Sequence, residues 1–307
     1  MSGLRGRSLA MYIGLCAVWG STWLVIKIGL RDLPPLRFAG MRMALAFFLL
    51  TPLALLRSGT RATPRQKPWI AWAGFLQIGI SYACVFVAEQ WIDSGLAALL
   101  FATFPIFVGL FAHYLLPDEP LTARTLLSAV LGLAGVAVIE APAARAALSA
   151  ETRGLLAGGS LMLVSALTAG YANVINKKHL GGVPPFRNVW GQTLVGSSLL
   201  LLLALLFERG APSRWTLGSA GALAYLAAIG TALPFAGLFW LIRRVPVAVI
   251  GTIPVVDTVM AVLLGNLVLG ETLSPRVLVG GAFILLGVLL VAVPPRAAAE
   301  SGASYRP

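Results

Sequence analysis

Asp257 stands 13th among the 26 residues from 245 to 270, and no other charge interrupts that stretch. In hydrocarbon its side chain is too short to snorkel to water, and holding it there costs on the order of 2.5 to 3.5 kcal/mol. A residue kept at that cost implies a partner: a substrate ammonium, a transferable proton or a counter-charge. Arg42, alone in 38–56, offers the counter-charge. Its long stem also permits a second reading, in which it reaches the membrane interface only about four residues away. The first expectation is an intramembrane charge pair of Arg42 with Asp257.

Around these two charges the sequence supplies aromatic rings interleaved with hydroxyls and amides. Trp19, Ser21, Thr22 and Trp23 fall within one and a half helical turns, Tyr171 and Asn173 lie in 154–176, and Tyr82, Phe86, Thr231, Phe235 and Trp240 add to them. A face meant only for packing would be leucine, glycine and alanine, whereas this set can stack on an organic molecule and hydrogen-bond to it. The expected substrate-binding set is therefore these eleven residues with Asp257. Tryptophans near a helix end also serve as interfacial anchors, the competing role for Trp19 and Trp23. Glu89 and His113 are titratable, but Glu89 falls at a span end and is expected to be wet, and His113 to be a polar helix contact. Pro105, Pro234 and Pro254 are expected to bend the helices that carry them.

Other chemistries lack their residues. The sequence has no GxxxxGK[ST] phosphate loop, no HExxH, no CxxC and no GxSxG. ATP hydrolysis, metal catalysis and nucleophilic catalysis are not expected, nor is any cofactor. Cys16 and Cys84 sit inside apolar runs, which suggests buried thiols, not a disulfide framework.

What must position these side chains is set by composition. Of 307 residues 58% are hydrophobic and 11% charged, with a mean hydropathy of +0.88; a soluble domain needs roughly 25% charged residues. Uncharged runs occupy 8–26, 68–88, 94–117, 154–176, 188–207, 215–242 and 277–295. Each exceeds the about 18 residues that cross a hydrocarbon core. Three more segments, 38–56, 245–270 and 125–139, fall short by a single charge or a few residues. The expectation is an all-α integral membrane protein of ten transmembrane helices. The first span is too long for a signal peptide and has no small-residue cleavage site, so it reads as a retained anchor.

With the N-terminus inside, inner segments hold 14 Lys and Arg and outer segments 8, Arg42 completing the 23. Positive charge favours the cytoplasmic face, so both termini are expected there. The net charge of +12 then describes loops facing anionic lipid. No basic helix with stacking aromatics suggests nucleic acid.

The chain also repeats itself. Pro34, Pro35, Leu36 and Arg37 recur as Pro184, Pro185, Phe186 and Arg187. Glu119, Leu121, Arg124 and Leu126 recur as Glu271, Leu273, Arg276 and Leu278. The expected organisation is a first five-helix repeat over 1–140, an outer linker over 141–153, a second repeat over 154–297 and a disordered tail over 298–307. Five is odd, so the second copy enters the membrane from the opposite side. Two inverted five-helix repeats around a central cavity are the construction that lets secondary transporters open alternately to either face. Spans 5 and 10, rich in glycine and poor in polar side chains, are expected to pack as scaffold or dimer surface.

The residues Trp19 to Lys27 (WGSTWLVIK), the PPLR of 34–37, the arginine in the second span, and Glu119 and Glu271 followed by L[TS]xRxL form an ordered set. That set resembles the EamA-type domain, a tandem pair of which makes the ten-span members of the drug/metabolite transporter superfamily. The resemblance covers the chain apart from its N-terminal arm and the tail after Pro295. It implies an exporter of small metabolites, most plausibly amino acids, working by alternating access in a bacterial cytoplasmic (inner) membrane, without enzymatic activity. Its partners would be a small-molecule substrate and the lipid bilayer, with a homodimer as a further option. The alternatives are an exporter of drugs or other amphipathic cations, or a non-transporting membrane protein such as a lipid scramblase. The small multidrug exporters of this superfamily carry a glutamate midway along span 1. None stands there in this sequence, so proton coupling of that kind would require Asp257 to substitute for it.

Overall fold

The computed structural model describes residues 6–56, 62–117, 119, 121–145, 150–242, 244–245, 249–250, 252–272 and 274–292. Among them lie ten helical spans and no strand. These are α1 (Arg7–Gly29), α2 (Pro35–Leu56), α3 (Lys67–Ala88), α4 (Ser94–Leu115), α5 (Ala123–Arg145), α6 (Ala150–Leu180), α7 (Pro185–Phe207), α8 (217–242), α9 (Ile253–Leu269) and α10 (Pro275–Ala292). Six of them, α1 to α4, α6 and α7, are long and apolar enough to cross a membrane unaided. The tail expected over 298–307 and linker residues 146–149 lie outside the described residues; on either side of the latter, α5 runs to Arg145 and α6 begins at Ala150.

The two halves are inverted, and four residue pairs show it. Gly135 of α5 meets Gly280 of α10, a Cβ on Gly280 falling 2.6 Å from the Gly135 carbonyl oxygen. Ser128 of α5 donates its hydroxyl to the Gly287 carbonyl at 2.7 Å. As numbers rise along α5 they fall along α10, so these helices are antiparallel; and at the repeat spacing of 152 residues, Ser128 is the counterpart of Gly280 and Gly135 of Gly287. The contact therefore maps onto itself when the halves are exchanged. The second axis point is α2 against α7. There Gly40 abuts Leu201 and the Trp190 indole donates to Thr51 Oγ1 at 3.0 Å, two-fold partners at a spacing of 150.

The remaining packing follows the same exchange. Helix α1 lies against α8 and α9 of the other half, as α6 lies against α3 and α4. In lipid no hydrophobic force gathers helices, so close van der Waals approach and interhelical hydrogen bonds must do so. Glycines supply the approach at α5 and α10, and Ser81 with Ser165 at 2.8 Å ties α3 to α6. Thr122 caps α5 through the Thr125 amide at 3.2 Å. Ser274 caps α10 through Val277 at 3.4 Å, with Pro275 first in the helix, where its missing N–H costs nothing.

Cys16 and Cys84 are buried free thiols. His113 accepts the Leu121 amide at 2.9 Å, a polar contact with the loop before α5 in place of the helix contact expected of it. The expectation for Glu89 is corrected: it is fully buried, because α3 ends beneath α1 and the turn into α4 instead of reaching the surface.

Candidate functional site

Spans 3 and 8 carry the same irregularity. In α3 the chain passes through a π-helical turn at Phe75–Ile80, and in α8 through one at Ala228–Ala232. Each inserts an extra residue into the helical ladder, which rotates the side chains beyond it, and such turns recur at functional sites. Thr231 satisfies the wider turn by donating to the Leu226 carbonyl at 2.9 Å. The proline expected to bend α8, Pro234, follows this turn.

Spans 4 and 9 are interrupted, again at corresponding places. Helix α4 stops at Phe101 and restarts at Phe104, with Pro105 in its first turn; Thr252 precedes the start of α9, with Pro254 in its first turn. The expectation that these prolines kink continuous helices is corrected: each opens a new helical segment, since a proline that cannot accept the interior of a helix is at home in its first turn. Paired discontinuous helices in two inverted halves mark a transporter's midplane site.

At these four irregularities lies a cavity of about 300 Å³. Helix α1 contributes Trp19, Thr22, Trp23 and Ile26, and α2 contributes Arg42. From α3 come Gln77, Ser81, Tyr82 and Val85; from α4, Phe101, Phe104 and Pro105; from α8 and α9, Gly230, Thr231, Pro254, Asp257 and Thr258. Both halves take part, the first more than the second. The aromatic wall is continuous: Trp23 lies 5.5 Å from Phe101, which stacks at 5.8 Å on Phe104.

Arg42 is buried at 3% exposure. Its guanidinium donates to Thr231 Oγ1 at 3.3 Å and stands 5.2 Å from the centre of the Tyr82 ring, while its Nε has no partner. Asp257 occupies the α9 wall; Thr258 approaches its carboxylate at 3.4 Å, and bonds more closely to the Pro254 carbonyl at 2.7 Å. The intramembrane pair expected of Arg42 and Asp257 is not made. The two charges line one cavity on different helices, and the ion pair found among the described residues joins Lys177 to Glu119. Nor does Arg42 snorkel outward.

Of the expected binding residues, Trp19, Thr22, Trp23, Tyr82, Thr231 and Asp257 therefore share this cavity with Arg42. Five others lie elsewhere for definite reasons. Ser21 shares a hydrogen bond with Tyr225 at 2.7 Å, joining α1 to α8. Phe86 is fully buried, edge-on to Phe38 at 5.3 Å. Tyr171 meets Phe111 at 5.2 Å on the face between α6 and α4. Asn173 is exposed, because the buried stripe of α6 runs through Met162, Ser165, Ala169 and Ala172 and leaves it to one side. Trp240 packs near Cys16 and Leu241, with the Arg244 guanidinium 4.2 Å from its ring centre. Phe235 belongs to α8, but its side chain lies outside those described. Sequence reasoning missed Gln77, Ser81, Phe101, Phe104 and Thr258; the helical phase of the first two depends on the π-turn, which no residue pattern announced.

The end of the bundle near Glu271 is latched across the halves. Gly270, at φ 69°, ends α9 in the left-handed conformation that glycine adopts freely. Glu271 follows, and its carboxylate accepts the Ser94 amide at 2.9 Å, the Ser94 hydroxyl at 2.8 Å and the Gly95 amide at 3.1 Å, capping α4. Glu208 does the same for α2, accepting the Leu36 and Arg37 amides at 2.7 and 2.8 Å. Anions at helix starts complement the partial positive charge there.

Inverted halves, two broken helices and a charged cavity between them define a multi-span membrane protein built as transporters are. Residues 6–141 and 156–293 each match the EamA-like transporter family, and the chain belongs to that family. It is 26% identical over 284 residues to the uncharacterized transporter YoaV of Bacillus subtilis, covering 91% of this chain and 94% of that one. It is 29% identical over 295 residues to the uncharacterized inner membrane transporter YedA of Escherichia coli, covering 94% and 89%. A solved crystal structure aligns at a TM-score of 0.64 and 20% identity, over 98% of this chain and 100% of the other, a likeness of fold.

Proposed function

We propose that this transporter exports small zwitterionic metabolites, amino acids with apolar or aromatic side chains foremost, from the cytoplasm by alternating access. One observation carries the substrate class: a guanidinium with an unpartnered Nε and a carboxylate line the same cavity without neutralising each other. A molecule bearing both an ammonium and a carboxylate satisfies both walls, as neither a simple cation nor an anion does. The rings of Trp19, Trp23, Tyr82, Phe101 and Phe104 then accept its side chain. A volume of about 300 Å³ suits a small metabolite, standing at the lower end of ligand pockets. Drugs and large amphipathic cations fit this cavity less well.

Arg42 takes the substrate carboxylate and Asp257 the ammonium, while Thr22, Gln77 and Thr231 complete the polar contacts. The excess of Lys and Arg in the loops assigned inside supports cytoplasmic termini in an inner membrane. No enzymatic step enters this reading. Counterflow in proteoliposomes tests it. Labelled phenylalanine should exchange in wild type and fall at least about tenfold in Asp257→Asn, since a charge-assisted contact is worth about 1.5 to 3 kcal/mol. Unchanged counterflow in that variant removes Asp257 from the site, and none in wild type, across a panel of amino acids, removes the substrate class.

A further inference from the structure

One buried acid belongs to no part of the substrate site. Glu89 follows the last residue of α3 and has no exposed surface, and neither carboxyl oxygen has a hydrogen-bond partner. The adjacent Lys27 of α1 does not bond to it: its ammonium donates to the backbone carbonyls of Glu89 at 2.7 Å and Ile92 at 2.6 Å. The charged groups acting on Glu89 are Lys27 from α1, Arg42 from α2 and Glu271 from the segment before α10. Asp93, in the turn into α4, is exposed, and α6 meets this end of α3 through Gly154 against Trp91 and Gly158 against Ile92.

A bare carboxylate without donors is among the most costly groups to bury, whereas the neutral acid is far less so. Glu89 also lies one helical turn from Val85, which lines the cavity. Its burial coincides with the latched end of the bundle, where Glu271 and Lys27 hold α1, α3 and α4 together. In this arrangement the latched end covers Glu89, so an opening at this end would expose it to water.

We propose that Glu89 is a proton-carrying site that couples substrate export to proton entry. With the outer end open, the Glu89 carboxylate takes a proton from hydronium in the outer water, forming one O–H bond and leaving water. Closure then buries a neutral acid. When the inner end opens, water entering through the cavity reaches Glu89 and takes the proton as hydronium, leaving a hydrated carboxylate; substrate then binds, and reopening of the outer end releases it outside with Glu89 still ionised. One proton enters for each substrate exported. Lys27, held by two carbonyls in the closed arrangement, is released on opening to face the carboxylate.

This inference rests on the transport reading, and the experiment separates the two. Proteoliposomes receive a pH gradient of one unit, acid inside, with the membrane potential clamped by potassium and valinomycin, and uptake of labelled phenylalanine is followed beside counterflow. Coupling to one proton allows accumulation of up to about tenfold in wild type. E89Q, which mimics the neutral acid but cannot release a proton, should retain counterflow and lose the gradient-driven gain. Wild-type counterflow with no gain, or an equal gain in E89Q, overturns the proposal while leaving the transporter intact; no counterflow in wild type sinks both. Should E89Q fail to counterflow, wild type treated with dicyclohexylcarbodiimide decides: modification of Glu89 that abolishes the gain supports the proposal, and a Glu89 left unmodified overturns it.

Discussion

Arg42 and Gln192 occupy equivalent places in the two halves, and only one of them is satisfied. The Gln192 amide donates to Asn176 and to Asn188 at 2.8 Å each, and Asn188 donates to Asn176 at 2.8 Å, so the second half closes its polar group inside the protein. Arg42 keeps an unpartnered Nε at the cavity. The second copy thus closes its polar group within the protein, while the first leaves one guanidinium nitrogen without a partner at the cavity.

Two variants separate those roles. Arg42→Gln should weaken substrate binding by roughly tenfold to a hundredfold, the worth of a charge-assisted hydrogen bond, with little change in melting temperature. Gln192→Ala should do the reverse, costing about 1 to 3 kcal/mol by leaving Asn176 and Asn188 short of partners. Thermal unfolding in detergent and substrate titration on the same samples check both.

The glycine contact of α5 with α10 sets a second expectation. A methyl group on Gly280 would lie 2.6 Å from the Gly135 carbonyl oxygen and 2.6 Å from Ile139. Gly280→Ala must therefore push the halves apart, a cost of about 1 to 3 kcal/mol. Gly221, in the first segment of α8, has nothing within 4 Å of such a methyl. Gly221→Ala should be neutral or stabilise by about 0.5 to 1 kcal/mol, because alanine restricts the unfolded chain more than glycine does. Melting temperatures that fall for the first and hold or rise for the second bear this out.

The Glu271 latch gives a third. Removing the carboxylate by Glu271→Ala strands the amides of Ser94 and Gly95 and the Ser94 hydroxyl, a loss of about 1 to 3 kcal/mol. The closed arrangement should become less populated. A cysteine placed at Val85 in that background should react faster with an impermeant maleimide supplied from outside than the same cysteine behind an intact Glu271.

Much of this architecture was legible in the sequence because charges are so costly in hydrocarbon that they punctuate the chain. The uncharged runs marked the spans, and PPLR at 34–37 beside PPFR at 184–187 marked the duplication. Asp257 and Arg42 were conspicuous for the same reason. What stayed hidden depended on helical phase. The π-turns at Phe75–Ile80 and Ala228–Ala232 follow no residue pattern, so the wall formed by Gln77 and Ser81 had no signature of its own. Tyr171 and Asn173 failed as cavity residues because α6 turns its small-residue stripe toward α3. Glu89 was misread because span length alone does not reveal what folds over a helix end.

The central claim, that two copies of one five-helix unit cross the membrane in opposite senses, is tested by labelling equivalent loop residues. Arg31 and Gly181 are counterparts, each following the first helix of its half, and both native cysteines are buried. In intact cells an impermeant maleimide should modify a cysteine at 31 and reach one at 181 only after the membrane is opened. Modification of both from the same side would contradict the inverted arrangement.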